Sequence, residues 1–199
     1  STRSTSSAAS DVYKRQENDL FELLDIIQKW NRKTDIDSKG AGIYGVLYYQ
    51  LVRNYRDEIQ KNNKTISKEI LLSALADTKA YIINNFGSIK ITLGDFQKLV
   101  RGDKELPIWG LPDVITAMSS RPYKDGKHKV TQGESYIGLV RFNENGPILE
   151  SIISFGNSDN PGSDHYTDQM EKYSKFETKK MTFDKNIIYS EAKVIYNPN

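Results

Sequence analysis

The stretch Gly133-Glu-Ser-Tyr-Ile-Gly-Leu-Val-Arg-Phe-Asn-Glu-Asn-Gly-Pro-Ile-Leu-Glu-Ser-Ile-Ile-Ser-Phe155 decides how the chain is read. Gly133–Asn143 alternates like a strand, with Tyr136, Val140 and Phe142 on one face and Ile137 and Leu139 on the other. Asn145-Gly146 is a hairpin turn signal, because both residues enter the left-handed region at little cost. Pro147–Phe155 is the returning strand. Both faces of the first strand are apolar, so the hairpin is expected to be central and covered on both sides. On that expectation Val140→Asp would place an unpaired charge in a core and cost about several kcal/mol.

Upstream of this hairpin the chain reads as helical. All six prolines lie between Pro107 and Pro198, and no Pro or Gly interrupts Val46–Phe86. Leu20, Leu23, Leu24, Ile27 and Trp30 recur at helical spacing and predict a helix over Glu17–Asn31. A second helix starts near Asp37 or Ser38, either of which can cap it, and runs to about residue 61 with Tyr44, Tyr48, Leu51 and Tyr55 as its stripe. A third starts at Ser67, with Ile66 and Leu71 placed as a hydrophobic staple, and stops at Gly87. The tyrosines read as half-buried helix faces. Thr92–Val100 fits a helical turn or a strand. Downstream, Gly156–Gly162 is dense in turn formers, Ser163 or Asp164 can cap a helix carrying Tyr166, Met170 and Tyr173, and Thr178–Tyr196 reads as one or two short strands. The fold class is therefore α+β. Residues 17–90 form a helical segment, and 91–199 a mixed segment.

Composition excludes more than it assigns. The 199 residues include no cysteine and two histidines, which removes disulfide scaffolds, cysteine nucleophiles and multi-histidine metal sites. No apolar run approaches the ~18 residues of a membrane span. The net charge of +2 resides in residues 1–16, which hold Arg3, Lys14 and Arg15 against Asp11. The remainder balances, so bulk charge gives no support for nucleic-acid binding. Residues 1–16 carry no apolar period. They fit either a spurious leader on a fragment read from incompletely assembled DNA or a natural disordered terminus.

Read from the residues alone, the chain offers no active site. His165 and Asp168, three apart on an expected helix, can pair for acid–base work, but no nucleophile stands beside them, and anchoring of the preceding loop is the preferred reading. His128 lies in Lys124-Asp-Gly-Lys-His-Lys129, a solvated loop by composition. Asp35 and Asp37 can attract a cation, but two carboxylates before a helix ordinarily serve as capping charges. The loop Gly156–Ser163 can present amides to an anion but lacks the lysine and spacing of a phosphate loop.

Four segments, in order, resemble the C-terminal part of the penicillin acylase family. This family includes penicillin amidases, cephalosporin acylases, acyl-homoserine lactone acylases and aculeacin-type acylases. The first is Leu23-Leu-Asp-Ile-Ile-Gln-Lys-Trp30 with Asp37-Ser-Lys-Gly-Ala41. The second is Gly94-Asp-Phe-Gln-Lys-Leu-Val-Arg-Gly-Asp103 with Leu106-Pro and Gly110-Leu-Pro-Asp113. The third is Gly133-Glu-Ser-Tyr, a strand, then Phe155-Gly-Asn-Ser158, and the fourth is His165-Tyr-Thr-Asp-Gln169. The loop Asn157–Ser163 departs at single positions, and Trp109 and Leu111 stand where the family tends to small or polar residues.

The resemblance implies an N-terminal-nucleophile hydrolase with a four-layer αββα core, to which residues 91–199 contribute strands. It implies a precursor that cuts itself to expose a serine. The serine hydroxyl attacks an amide carbonyl with its own α-amine as base, and a backbone amide and an asparagine hold the oxyanion. Those groups, and calcium ligands where the parent enzyme has them, lie upstream of the matched part. No catalytic or metal-binding residue is therefore carried onto this chain, and the substrate-binding residues are unknown. Ser1 is rejected as nucleophile, because Thr2-Arg3-Ser4 follows it where the family has asparagine and soon tryptophan. The expected partners are the upstream part of the same precursor and an acylated small-molecule substrate such as a β-lactam, acyl-homoserine lactone or lipopeptide, with neither nucleic acid nor membrane. The resemblance places the parent enzyme in the periplasm or outside the cell, and the isolated chain is expected to be inactive. Two alternatives remain open: a non-catalytic binding or assembly module, and a mixed-charge binding domain unrelated to the family.

Overall fold

The computed structural model describes residues 20–192 and residue 194. The leader expectation for residues 1–16 and the start of the first helix lie outside them. The chain divides into two compact units at Gly133/Glu134. The compositional change near residue 90 therefore falls inside the first unit, where helices give way to strands.

In the first unit, helix α1 occupies residues 20–28. Ser38 caps α2 (Lys39–Asn54), its hydroxyl accepting from Ala41 N at 3.2 Å. The expected helix to residue 61 is broken at Tyr55, where φ is −124°, and α3 (Arg56–Lys61) resumes beyond it. Ser67 caps α4 (Lys68–Phe86), which closes on Gly87 at φ +73°. Ile66 and Leu71 are both exposed there. Thr92–Val100 is helix turn and strand in succession. A reciprocal Thr92–Asp95 capping box starts α5 (Leu93–Phe96), and β1 (Gln97–Arg101) follows at once. Then come β2 (Lys104–Pro107), β3 (Met118–Pro122) and β4 (His128–Gly133), in the sheet order β2-β1-β4-β3. β1 and β4 run parallel, and the other pairs antiparallel.

The core of this unit draws Leu23 from α1, Ile43, Val46 and Leu47 from α2, Ala74, Leu75 and Ile82 from α4, and Leu93 and Phe96 from α5. Each of the larger side chains gives about 1.5–3 kcal/mol on burial. Tyr44, Tyr49 and Tyr55 pack against this core half-buried, as helix faces with a wet edge. Trp109 and Leu111, the two departures from the family pattern, are buried to 1% and 0% exposure.

The second unit holds β5 (Tyr136–Asn143), β6 (Gly146–Ile153), α6 (Met170–Ser174), β7 (Lys179–Met181) and α7 (Lys185–Glu191). The hairpin stands in register from Tyr136↔Ile153 to Asn143↔Gly146, with Glu144 and Asn145 as its two-residue loop. β7 adds to β6, giving the order β5-β6-β7. Burial on both faces is corrected by the structure. Tyr136, Leu139, Val140 and Phe142 are exposed by 61%, 49%, 52% and 84%. Of the elements described, α6 packs against β6 and closes a small core with Ile152, Met170 and Tyr173. β5 lies at the sheet edge. The helix expected from Ser163 or Asp164 begins only at Met170, with turns before it, and the end of the chain holds α7 where a second strand was one reading. Asp184 caps α7 by accepting from Asn186 N, and the tertiary exposure of Ile187 and Ile188 removes the reason for a strand.

Candidate functional site

The most chemically equipped place in the first unit is a cavity of about 320 Å³ over one face of α2. Val46, Tyr49 and Arg53 follow one another at helical spacing along that face. Tyr81 of α4, Phe96 of α5 and His128 of β4 add to the wall.

The solvated-loop reading of His128 is overturned. The residue is 5% exposed, because strand alternation turns Lys127 and Lys129 away and His128 inward. The turn before it is clamped twice. Glu105 on β2 meets Lys127 at 2.9 Å and Lys124 at 3.1 Å, and Tyr81 Oη donates to Gly126 O at 2.8 Å. The hydrogen bond from Lys127 holds the Glu105 carboxyl below its ordinary range. So fixed, the imidazole lies between two rings, 4.6 Å from Tyr49 and 4.5 Å from Phe96 by centroids.

The hydrogen bonds assign its tautomer. Ser120 N and Ser120 Oγ both donate to Tyr49 Oη, at 2.7 and 3.1 Å. With its proton committed there, Ser120 Oγ can only accept from His128 Nδ1, 3.3 Å away. Nδ1 therefore carries the hydrogen, and Nε2 presents a lone pair with no partner among the described residues. Burial, with the Arg53 charge in second place, pushes the His128 pKa down from 6.5 to about 4. A neutral imidazole so weakly basic is a poor general base near pH 7, and the direction of the Ser120 bond leaves its hydroxyl unactivated. The arrangement accepts a hydrogen bond inside an apolar space, and does not build a nucleophile.

In the second unit, His165 Nδ1 and Asp168 Oδ2 do meet, at 3.0 Å, but in the turns before α6 and with side chains 65% and 34% exposed. Their segment ties down the preceding loop through the backbone. Ser158 N donates to His165 O, Gln169 N donates to Phe155 O, and Gln169 Oε1 accepts from Ile153 N. Asp35 accepts from Ser38 N through its carbonyl, and Ser38, not Asp37, supplies the cap. Among the described residues no three His, Cys, Asp or Glu side chains gather as a metal ion would need. Among them, too, no helix is long and apolar enough to cross a membrane.

Residues 2–189 match the penicillin amidase family. The chain belongs to that family. Among its relatives is the acyl-homoserine lactone acylase PvdQ of Pseudomonas syringae pv. syringae, 37% identical over 101 residues, which cover 49% of this chain and 13% of that protein. Another is the same-named acylase of Pseudomonas putida, 24% identical over 179 residues, covering 78% of this chain and 22% of the relative. A third is the aculeacin-A acylase of Actinoplanes utahensis, 26% identical over 200 residues, covering 91% of this chain and 23% of the relative. The matched part thus spans between about an eighth and a quarter of the length of these acylases.

Proposed function

We propose that this chain is the C-terminal portion of the large chain of an acylase that hydrolyses a linear amide in an N-acylated substrate, a β-lactam, an acyl-homoserine lactone or a lipopeptide. The observation that carries this reading is the family match over residues 2–189 in a chain that spans only 13% to 23% of its acylase relatives. In this reading the precursor is autoproteolytic, and the nucleophile is an N-terminal serine borne upstream. Its hydroxyl attacks the amide carbonyl while the α-amine takes the proton. Oxyanion donors hold the tetrahedral intermediate, the amine leaves, and water releases the acid from the acyl-enzyme. The 199 residues then supply framework to an αββα core. The upstream part of the precursor is their partner, and the periplasm or the exterior is their place. Calcium, where such a parent binds it, would be held by ligands that also lie upstream.

The apolar side chains of β5, exposed by 49% to 84% at Tyr136, Leu139, Val140 and Phe142, support this reading. They suit a strand that is covered in a larger assembly. The test is to assay release of amine from a panel of acyl amides, lactones and β-lactams. The 199-residue chain alone should give none. The same chain expressed in frame with its upstream coding sequence should give turnover that vanishes when the serine opening the large chain is changed to alanine. Turnover by the 199-residue chain alone, or upstream sequence with no such serine, would refute the reading.

A further inference from the structure

The cavity on α2 has a use that the acylase reading does not need. Its walls are aromatic and aliphatic, through Tyr49, Tyr81, Phe96 and Val46, and about 320 Å³ is the lower end of the size range of small-molecule sites. Besides Gln50, whose amide oxygen accepts from Asn54, two polar side chains break this lining. Inside, His128 is 5% exposed, and its Nε2 lone pair has no partner among the described residues. An acceptor that faces the cavity from a buried ring suits an N–H or O–H donor on a bound molecule. At the rim, the exposed Arg53 has no carboxylate partner among the described residues, and its planar fork suits a carboxylate.

We infer that this cavity is a binding site for a small hydroxylated aromatic carboxylate, its ring between Tyr49, Tyr81 and Phe96, its hydroxyl donating to His128 Nε2 and its acid on Arg53. The ring walls select an aromatic body over a polar one. His128 discriminates a hydroxylated ring from a bare one, because an accepting nitrogen left unpaired disfavours the bare ring. Arg53 supplies orientation and a share of the affinity common to both. For a ligand of this size the expected Kd is on the order of 0.1–1 mM.

The test uses the 199-residue chain, with histidine and tyrosine rings isotope-labelled, titrated with two matched pairs of probes. These are 4-hydroxybenzoate with benzoate, and 3-(4-hydroxyphenyl)propionate with 3-phenylpropionate. In the pair that binds better, His128 and Tyr81 signals should shift saturably, and the hydroxylated acid should bind at least about fivefold more tightly. Arg53→Gln, an exposed change that leaves the core intact, should weaken both members about tenfold. His128→Phe keeps the ring stack and should erase the preference for the hydroxyl. No saturable shift up to about 10 mM, equal affinity within both pairs, or indifference to Arg53→Gln would overturn the assignment. None of these outcomes touches amide hydrolysis, so the site and the acylase reading stand or fall separately.

Discussion

Gly42→Ala is a sharp test of how the first unit is assembled. In a helix interior this change ordinarily stabilises, by about 0.5–1 kcal/mol, since alanine loses less backbone entropy. Here α2 crosses directly over the start of α5. A methyl group at position 42 would lie 2.6 Å from the Thr92 carbonyl carbon, 2.7 Å from its oxygen and 2.9 Å from Leu93 N. All three are backbone atoms and cannot swing aside. Ordinary contact needs about 3.5 Å, so the two elements must part by nearly 1 Å. Leu93 N donates to Ser38 O at 3.0 Å across this same seam, and that parting takes it beyond hydrogen-bonding range. Overpacking costs about 1–3 kcal/mol and the lost hydrogen bond about 1 kcal/mol. Set against the helix gain, the net loss is about 2 kcal/mol.

The assay is urea unfolding followed by tryptophan fluorescence. Both tryptophans, Trp30 and Trp109, belong to the first unit, so the signal reports that unit alone. With a urea m-value of about 2 kcal/mol/M, the midpoint should fall by about 1 M. Gly87→Ala is the companion measurement. At φ +73° with open space around it, that site has only a conformational cost, about 1 kcal/mol. If Gly42→Ala leaves the midpoint unchanged or raises it, α2 is not seated on the Thr92–Leu93 backbone, and the packing derived for this unit fails.

Further expectations concern titration, capping and the hairpin. With the folded His128 pKa at about 4, below its ordinary 6.5, the stability held by the neutral ring is complete above pH 6.5 and drains as pH falls toward 4. Between pH 7 and 4.5 the chain should lose about 2–3 kcal/mol more than its His128→Gln variant, and parallel stability curves for the two would contradict this. Ser67→Ala removes the acceptor of Ile70 N and should cost about 1 kcal/mol by urea unfolding. Val140→Asp, at a position 52% exposed, should cost under about 1 kcal/mol in this chain, and several times that once the upstream sequence is restored. In a full-length homologue, truncating the counterpart of His165 should leave kcat within a few-fold, and a loss on the order of 10³ at unchanged stability would restore acid–base chemistry to the His165–Asp168 pair.

What the sequence made legible was local. Ser38, Ser67 and Gly87 mark helix ends because a cap is a short-range hydrogen bond or a single backbone angle. Asn145-Gly146 marked the hairpin for the same reason, although the loop falls one residue earlier, on Glu144-Asn145, and Gly146 at φ +103° opens β6. Strands β3 and β4 went unread. Met118-Ser-Ser-Arg-Pro122 and His128-Lys-Val-Thr-Gln-Gly133 carry few apolar residues; β4 is held by long-range pairing with β1, and β3 by pairing with β4. His128 was hidden by its lysine neighbours. The usable signal was the alternation of charged Lys127 and Lys129 about it, the pattern of a strand with one dry face. The Tyr49–Ser120–His128 relay links residues 71 and 8 positions apart, a convergence no local pattern encodes.

Burial was misread for a different reason, visible in the two edges of the β5-β6-β7 sheet. Natural sheets blunt a free edge with shortness and lysine. β7 does this, being three residues long with Lys179 and Lys180 both exposed. β5 does not. It is eight residues long and carries Tyr136, Ile137, Leu139, Val140 and Phe142, and its one charge, Arg141, is turned to Glu150 of β6 at 3.1 Å. One edge of a single sheet therefore has the composition of a solvent boundary, and the other that of an interior strand. Periodicity reported the second property correctly, since apolar residues on both faces do describe a strand built to be covered. What covers it is a matter of partners, and alternation within a strand carries no information about those. The acylase precursor proposed above asks this composition of β5 and leaves β7 its lysines.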